Sequence, residues 1–303
     1  MSRKVGIWMY QNGGGDVIEQ KMIAKFKERG IECVTGLDLR FAEVHNGAMM
    51  CKGTNMLELD LFFSYNAGEQ TGGQVYMYEI LNDFVTTVNS FDAFKLSEDK
   101  LRTNMRLHSK GIPTTEFFIC HRESDLEHIY DRIERWGKMV FKPVDGWGGA
   151  GMALLNNREN FDMLLPFVHQ MHLRNIYVEK FINYDFSDYR IDIVDGQFVG
   201  CYGRKASGRD WRTNVTAGGK VILREPNDEV VNLAIQASKA MGMDIAGVDI
   251  LYDLDKETYT VLEINGIPAF ATPDQEEMGL NFNDKKIDLI VDMIDRKSQG
   301  KTA

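Results

Sequence analysis

Residues 246–265 read AGVDILYDLDKETYTVLEIN, a pattern typical of a β-hairpin. Each end is an apolar run rich in Val, Ile, Leu and Tyr, and the acidic stretch from Asp253 to Glu257 predicts the turn between them. A turn near Asp255 pairs residues whose numbers sum to about 510 to 512. This register places Asp249 opposite Glu263 or diagonal to it, within reach across the strand pair.

The two faces of this hairpin differ in chemistry. One face carries the carboxylates of Asp249 and Glu263, and strand alternation adds the amide of Asn265 to it. Two carboxylates among apolar neighbours repel each other unless a positive group lies between them, and oxygen donors of this kind suit Mg²⁺. The spacing alone leaves open a solvated sheet face with one chance acid. The opposite face is expected to point into the core, with Val248, Ile250, Leu262 and Ile264.

A glycine-rich stretch lies between two further predicted strands, Met139 to Lys142 and Met152 to Leu155, like the tip of a hairpin. Glycine lets backbone amides approach a polyphosphate closely, although a flexible hairpin tip has the same composition. Lys142 and Lys100 could each reach a phosphate as a point charge, or be solvated surface lysines. The P-loop pattern does not occur in the chain. The glycines concerned are Gly146, Gly148, Gly149 and Gly151.

The composition argues against several classes of protein. The 303 residues carry 35 Lys and Arg against 45 Asp and Glu, a net charge of −10, which disfavours nucleic-acid and anionic-membrane partners. Residues 204–212 reverse this sign locally, as a phosphate site would. The cysteines form no CxxC pair and no run approaches about 18 apolar residues, so we expect a cytoplasmic protein without disulfides or zinc. The basic residues in 204–212 are Arg204, Lys205, Arg209 and Arg212, against Asp210.

The N-terminal part has the strand and helix order of an α/β lobe. The glycines from Gly13 to Gly15 lack the full GxGxxG spacing, which argues against a nicotinamide oxidoreductase. A helix from Asp92 to Lys110 is expected after this lobe. Within the lobe, strands are predicted at Lys4 to Tyr10, Ile31 to Thr35 and Leu59 to Tyr65, and a helix at Asp16 to Arg29.

Six short motifs stand in the order and spacing of the ATP-grasp ligases, and the chain most resembles the RimK group of that superfamily. Each motif alone is weak, but six in register form a strong signal. The resemblance covers residues from about 90 to 295. The motifs are Lys142-Pro143 with the glycine loop, Val178 to Ile182, Asp188-Tyr189-Arg190, Asp210 to Asn214 with Gly218-Gly219, Ala246 to Asp249, and Glu263-Ile264-Asn265.

The resemblance implies an α/β (α+β) fold, the ATP-grasp fold, with three lobes around one nucleotide. Residues 1–92 would form a Rossmann-like pre-ATP-grasp lobe. Residues 93–180 would form the central lobe with the glycine-rich lid, and residues 181–303 the antiparallel-sheet lobe with the magnesium site.

Roles for individual residues follow from the same resemblance. Lysines and glycines would hold the phosphates: Lys100, Lys142, Gly146, Gly148, Gly149 and Gly151. A hinge strand would read adenine through its backbone at Glu179, Lys180, Phe181 and Ile182, with further nucleotide contacts from Asp188 and Thr213. Arg190, Arg212 and Asn214 would face the phosphates and the reacting carboxylate. The metal ligands would be Asp249, Glu263 and Asn265, in agreement with the hairpin argument.

The activity implied is an ATP- and Mg²⁺-dependent ligation of a carboxylate to an amine through an acyl phosphate. Two metal ions are expected, with Mn²⁺ as a substitute, and an amino acid such as glutamate as the amine. The carboxylate would come from a small molecule or a peptide, and a homodimer or homotetramer is expected. A ligase acting on a peptide or protein terminus, and a non-catalytic nucleotide-binding module, stay open as alternatives.

Two stretches depart from the RimK pattern on the side that binds the acceptor in such enzymes. Asn265-Gly266-Ile267-Pro268-Ala269-Phe270 replaces Asn followed by small residues and Pro-Gly, and Val215-Thr216-Ala217 supplies no basic residue before Gly218. The acceptor is therefore expected to be less acidic or differently shaped. Asn66 to Gly73, with Glu69, is a candidate substrate loop for an amine, although a solvated loop acid would look the same.

Overall fold

The computed structural model describes residues 3–66, 70–121, 126–144, 150–170, 175–208 and 210–300. The predicted site residues Gly146, Gly148 and Gly149, and also Glu69 and Arg209, lie outside these ranges.

The strands are β1 (Arg3–Met9), β2 (Ile31–Thr35), β3 (Glu43–His45), β4 (Ala48–Cys51), β5 (Thr54–Asn55), β6 (Leu61–Tyr65), β7 (Thr86–Val88), β8 (Phe117–Cys120), β9 (Met139–Lys142), β10 (Ala153–Leu155), β11 (Ile176–Lys180), β12 (Ser187–Val194), β13 (Gln197–Lys205), β14 (Lys220–Ile222), β15 (Ile245–Asp253) and β16 (Thr258–Asn265).

The α-helices alternate with these strands, so the fold is mixed α and β as predicted. Short 3-10 helices lie at Leu39–Phe41, Met56–Glu58 and Val215–Ala217. The α-helices are α1 (Gly15–Glu28), α2 (Gly72–Phe84), α3 (Phe91–Ser97), α4 (Lys100–Ser109), α5 (Leu126–Trp136), α6 (Arg158–Gln170), α7 (Asp228–Met241), α8 (Pro273–Glu277) and α9 (Asn283–Lys297).

The N-terminal sheet is parallel, with strand order β2-β1-β6-β7. Its central strands are apolar on both faces because both faces are covered. Val5 and Ile7 share a core with α1 and α9, whereas Trp8 and Phe62 share another core with α2 and the small antiparallel sheet β3-β4-β5.

The central sheet is antiparallel, in the order β10-β9-β11-β8. Helices α5 and α6 supply Ile129, Ile133 and Phe161 to its core, where they meet Phe141 and Val178. The opposite face of β11, which carries Glu179, therefore lines the cleft described below.

The C-terminal sheet is antiparallel, in the order β14-β13-β12-β15-β16. One face packs on α7 through residues such as Val248, Ile250 and Ile264, as the hairpin pattern predicts. The other face carries the charged side chains of the site.

The register of the β15–β16 hairpin places Asp249 directly opposite Glu263, the first of the two predicted arrangements, and Gly247 pairs with Asn265. A bulge follows, because Ile250 pairs with Val261 and leaves Leu262 as the extra residue. Val261 is fully buried in the core, and Leu262 lines the cleft instead. The expectation that Leu262 points into the core is therefore wrong, because alternation restarts at the bulge.

The helix predicted from Asp92 to Lys110 is two helices, α3 and α4, that meet at Glu98 and Asp99. The Asp99 carboxylate accepts a hydrogen bond from the Arg102 N–H and caps α4. Lys100 consequently occupies the first position of α4, at the edge of the cleft.

No helix in the described ranges combines the length and the apolar character needed to cross a lipid bilayer.

Candidate active site

A cleft with about 850 Å³ of empty space, its open mouth included, lies between β11 and the charged face of β12, β13, β15 and β16. Residues far apart in the sequence meet in it because the two antiparallel sheets face each other there. Most of the predicted site residues line this cleft: Lys100, Lys142, Glu179, Lys180, Phe181, Ile182, Asp188, Arg212, Thr213, Asn214, Asp249 and Glu263.

Three of the predicted residues that the structure describes do not line it. Arg190 is partly buried and pairs with Asp249, and Asn265 lies two residues beyond Glu263 at the end of β16. Gly151 has a φ of +69°, and its neighbours Ala150 and Met152 line the cleft in its place.

The Asp249 carboxylate is 2% exposed and accepts hydrogen bonds from two arginines. Arg190 donates from Nε to Oδ1 and from Nη2 to Oδ2 at 3.1 Å, and Arg204 Nη2 lies 2.8 Å from Oδ2. Burial alone would raise the pKa of Asp249, but the charges of Arg190 and Arg204 outweigh it and lower that pKa. Asp249 therefore stays ionised although it is buried.

Gly247 explains how Arg190 fits below this carboxylate. A Cβ at position 247 would lie 2.9 Å from Arg190 Nη1 and 2.7 Å from Pro268 Cβ. Only glycine lets both groups pack against β15 at this point.

Arg204 is a site residue that the sequence analysis did not single out. It is 6% exposed, and its Nη2 lies 2.6 Å from Asp188 Oδ2 and 2.8 Å from Asp249 Oδ2. Arg204 pairs directly with Asp188 across β12 and β13, and Thr213 Oγ1 donates to Asp188 Oδ2 at 2.5 Å. The signal in the sequence was its place in the basic stretch 204–212, but cross-strand pairing was needed to see its partner.

Lys142 and Glu179 form an ion pair on the opposite wall, where Lys142 Nζ donates to Glu179 Oε2. Glu179 Oε1 accepts from Tyr177 Oη at 2.9 Å and from Asn104 Nδ2 at 3.3 Å. Across the cleft, Lys100 Nζ lies 4.0 Å from Glu263 Oε1. The two predicted lysines thus approach the same space from different elements.

The strand end after Glu179 forms an apolar slot. The N–H groups of Lys180 and Phe181 donate to Glu116 O and Lys138 O, whereas no acceptor for the Ile182 N–H exists among the described residues. The Phe181 and Trp211 rings meet edge-on, with centroids 6.0 Å apart. Apolar side chains with one open backbone donor can bind a flat heteroaromatic base.

Arg212 and Asn214 also line the cleft. Arg212 Nη2 lies 2.7 Å from Asp210 Oδ2, and hydrogen bonds from Arg212 lower the pKa of Asp210 to about 2. The carbonyl of Asn214 accepts from the N–H of Gly219, and a Cβ at Gly219 would lie 2.1 Å from Thr213 O. Gly219 therefore lets this turn close tightly and keeps Asn214 at the cleft wall.

The predicted metal ligands fit a hard divalent cation in chemistry and placement. Asp249 and Glu263 are directly opposite and Asn265 follows on the same strand, so carboxylate and amide oxygens converge on one edge. Two arginines already engage Asp249, while the Glu263 side chain is 30% exposed. The Asn265 Nδ2 is buried and has no hydrogen-bond partner among the described residues. Within that part of the chain, no group of three His, Cys, Asp or Glu side chains is placed to hold a metal ion.

Comparison with known proteins gives separate evidence on the family of this chain. A family model described as the RimK-like ATP-grasp domain matches residues 97–290. The tetrahydromethanopterin:alpha-L-glutamate ligase of Methanocaldococcus jannaschii is 26% identical over 242 residues, which cover 78% of this chain and 81% of that protein. The alpha-aminoadipate–LysW ligase LysX of Saccharolobus solfataricus is 26% identical over 272 residues, covering 83% and 89%.

Solved structures share the fold. The ATP-grasp ligase PsnB, solved in complex with a minimal precursor, Mg and ADP, matches with a TM-score of 0.66 at 15% identity, over 98% of this chain and 98% of that chain. The family match covers more than half of the sequence, and the fold agrees over almost all of it. The chain therefore belongs to the RimK-like ATP-grasp family and is an ATP-dependent carboxylate–amine ligase.

Proposed function

We propose that the chain binds ATP with Mg²⁺ in the cleft and joins a carboxylate to the amine of an amino acid through an acyl phosphate. The observation that carries this proposal is the meeting of the two predicted lysines, two arginines and two opposed carboxylates around one apolar slot. A base fits the slot at Phe181 and Trp211, and the charged end suits a polyphosphate.

Substrate activation is the first step. An oxygen of the substrate carboxylate attacks the γ-phosphorus, the bond from that phosphorus to the bridging oxygen breaks, and ADP leaves. Lys100 and Lys142 both line the cleft and are positioned to balance charge on the phosphate oxygens. Arg212 and Asn214, which also line the cleft, are positioned to orient the carboxylate. Bound Mg²⁺ supplies further charge compensation, held by Asp249, Glu263 and Asn265.

Amide formation is the second step. The amine nitrogen attacks the carbonyl carbon of the acyl phosphate, the bond from that carbon to the phosphate oxygen breaks, and phosphate leaves while the nitrogen loses a proton. The chain supplies position and charge in both steps, and neither step needs a protein nucleophile. The curated relatives are named as glutamate and LysW ligases, so glutamate is the first amine to test.

Metal content, cellular location, assembly and lobe boundaries complete the proposal. We expect two metal ions with Mn²⁺ as a substitute, a cytoplasmic location and a homo-oligomer. Residues 1–92, 93–180 and 181–303 are proposed as the three lobes. A peptide or protein terminus stands as the alternative source of the carboxylate, because the PsnB structures contain a precursor.

Hydroxylamine trapping tests the first step without knowledge of the amine. With MgATP and a panel of amino acids and peptides, the right carboxylate should yield a hydroxamate and equimolar ADP. Hydroxamate absent for every carboxylate, with ATP still bound, would favour the non-catalytic nucleotide-binding alternative.

A further inference from the structure

A second cavity, with about 400 Å³ of empty space including its mouth, lies outside the cleft. It is enclosed by α2 and the end of β6 in the N-terminal sheet, by α3, and by Gly266 and Ile267. Gly266 and Ile267 directly follow Asn265, so the cavity adjoins the end of the proposed metal site. None of the described residues that line it is charged.

Gln74 of α2 is the polar group that distinguishes this cavity. Its side chain lines the cavity and the residue is 4% exposed, yet its Oε1 has no hydrogen-bond partner among the described residues. A buried acceptor without a donor costs stability unless a ligand or water supplies one.

The orientation of the Gln74 amide is determined by its neighbours. Gln70 Nε2 donates to the carbonyl of Asn66 at 3.3 Å, so the other atom of that amide, Gln70 Oε1, is an acceptor. Gln74 Nε2 donates to this Oε1. These two hydrogen bonds therefore leave Gln74 Oε1 as the acceptor that a ligand in the cavity would meet.

Asn89 also lines the cavity, but its polar atoms are engaged in holding the wall. Asn89 Nδ2 donates to Ile245 O and Gly266 O, both at 3.0 Å, and its Oδ1 accepts from the N–H groups of Asp244 and Ile245 at 2.8 Å. The hydroxyl of Tyr78 donates to Asn89 O. Among the described lining residues, Gln74 Oε1, the Ser64 hydroxyl and apolar surface are thus the groups that a ligand can meet.

We propose that this cavity binds the uncharged polar end of one of the two ligase substrates, a carboxamide or hydroxyl that donates a hydrogen bond to Gln74 Oε1. The described residues offer a carboxylate no cation there and an ammonium no acid, so burial of either ion against them is costly. An N–H or O–H group satisfies the acceptor, and its carbon chain covers Phe94 and Ile267. This inference rests on the proposed function, since it assigns the cavity to a substrate.

Binding is tested separately from turnover. The full-length chain, saturated with ADP and Mg²⁺, is titrated calorimetrically with L-glutamine and with L-glutamate, which differ only in the end of the side chain. L-Asparagine, L-serine and L-threonine extend the series. The variants are Gln74→Met, which removes the acceptor at similar size, and Gln74→Glu, which keeps an acceptor but adds charge. Glu79→Gln, at an exposed position of the same helix, is the matched control.

We expect glutamine to bind about tenfold more tightly than glutamate, because a site built for a hydrogen-bond donor rejects the analogue without one. Gln74→Met should remove this ratio, Gln74→Glu should weaken glutamate binding further, and Glu79→Gln should keep the wild-type ratio. The cavity assignment is overturned if glutamate binds as tightly as glutamine, if Gln74→Met keeps the ratio, or if none of the five amino acids binds.

Turnover assays distinguish whether the side chain that enters the cavity belongs to the carboxylate substrate or to the amine substrate. If the cavity serves the carboxylate substrate, glutamine with hydroxylamine and MgATP yields a hydroxamate that Gln74→Met reduces. If it serves the amine, glutamine releases ADP only with a second carboxylate. Selective binding with neither reaction would contradict the proposed function and the substrate assignment together, whereas turnover without selectivity would contradict only the cavity assignment.

Discussion

Asp249 and Glu263 face each other across the β15–β16 pair, but their carboxylates have different surroundings. Asp249 is buried under Arg190 and Arg204, while Glu263 is partly exposed and has Lys100 Nζ 4.0 Å away. Asp249 therefore anchors an ion-pair network, and Glu263 is the carboxylate better able to engage a cation from solution.

Glu263→Gln should reduce substrate-dependent ADP formation by about 100-fold or more, because an amide is a poor substitute for a carboxylate on a divalent cation. Its side chain is 30% exposed, so the free energy of unfolding should change little. ADP formation is measured as a function of Mg²⁺ concentration. Glu257→Gln, in the exposed turn of the same hairpin, is the control. Equal Mg²⁺ dependence in the wild type and Glu263→Gln would exclude Glu263 as a ligand.

Arg204→Met should lower the free energy of unfolding by about 3–5 kcal/mol, because it leaves the buried Asp188 and Asp249 with reduced compensation. Urea unfolding provides the measurement. Lys205→Ala, at the exposed next position, should have little effect. A stability loss as small as that of Lys205→Ala would show that the ion pairs of Arg204 do not stabilise the fold.

Lys142→Met should weaken ATP binding about tenfold or more, since a positive charge at the phosphates is lost. It also leaves Glu179 without its ion-pair partner, so Lys142→Met/Glu179→Gln is the matched comparison. Titration with ATP separates the explanations: the double variant should still bind weakly. Recovery of wild-type affinity in the double variant would mean that Lys142 acts only by neutralising Glu179.

The hairpin and the proximity of Asp249 to Glu263 could be predicted from the sequence, because strand alternation and the position of the turn depend on local residues. The position of Leu262 could not, because a bulge is set by strand pairing in three dimensions. The break between α3 and α4 was missed because the apolar pattern continues through the Asp99 cap. Arg204 appeared only as part of a basic stretch, and Gln74 was not noticed, since a buried unsatisfied amide has no signature in sequence.

Asp210 should make stability depend on pH in acid. Its folded pKa of about 2 lies below the ordinary value for Asp, so the ionised form stabilises the fold above about pH 4 and this contribution is lost as the pH falls toward 2. Asp210→Asn should therefore show a smaller fall in its urea midpoint over this range than the wild type. The exposed Asp83→Asn serves as the control. Identical pH curves for the wild type and Asp210→Asn would contradict the assignment.

Lys286 should hold the loop after Asn265 in position. It is 0% exposed, and its Nζ donates to Asp192 Oδ2 at 2.8 Å and to the carbonyls of Pro268 and Ala269 at 2.7 and 3.1 Å. Lys286→Met should cost about 3–5 kcal/mol of stability, because Asp192 is left buried and unpaired.

The double variant Lys286→Met/Asp192→Asn separates stability from loop position. It should recover much of the stability but keep a raised KM for the carboxylate substrate, since the two carbonyls stay unheld. A wild-type KM in the double variant would show that Lys286 only stabilises the fold.

Transfer of ¹⁸O from a labelled carboxylate to phosphate tests the acyl-phosphate route most directly. The carboxylate that yields a hydroxamate is labelled in both oxygens and incubated with MgATP and the amine, and the released phosphate is analysed by mass. Our account predicts one ¹⁸O in the phosphate for each amide formed. Amide formation with unlabelled phosphate would contradict it.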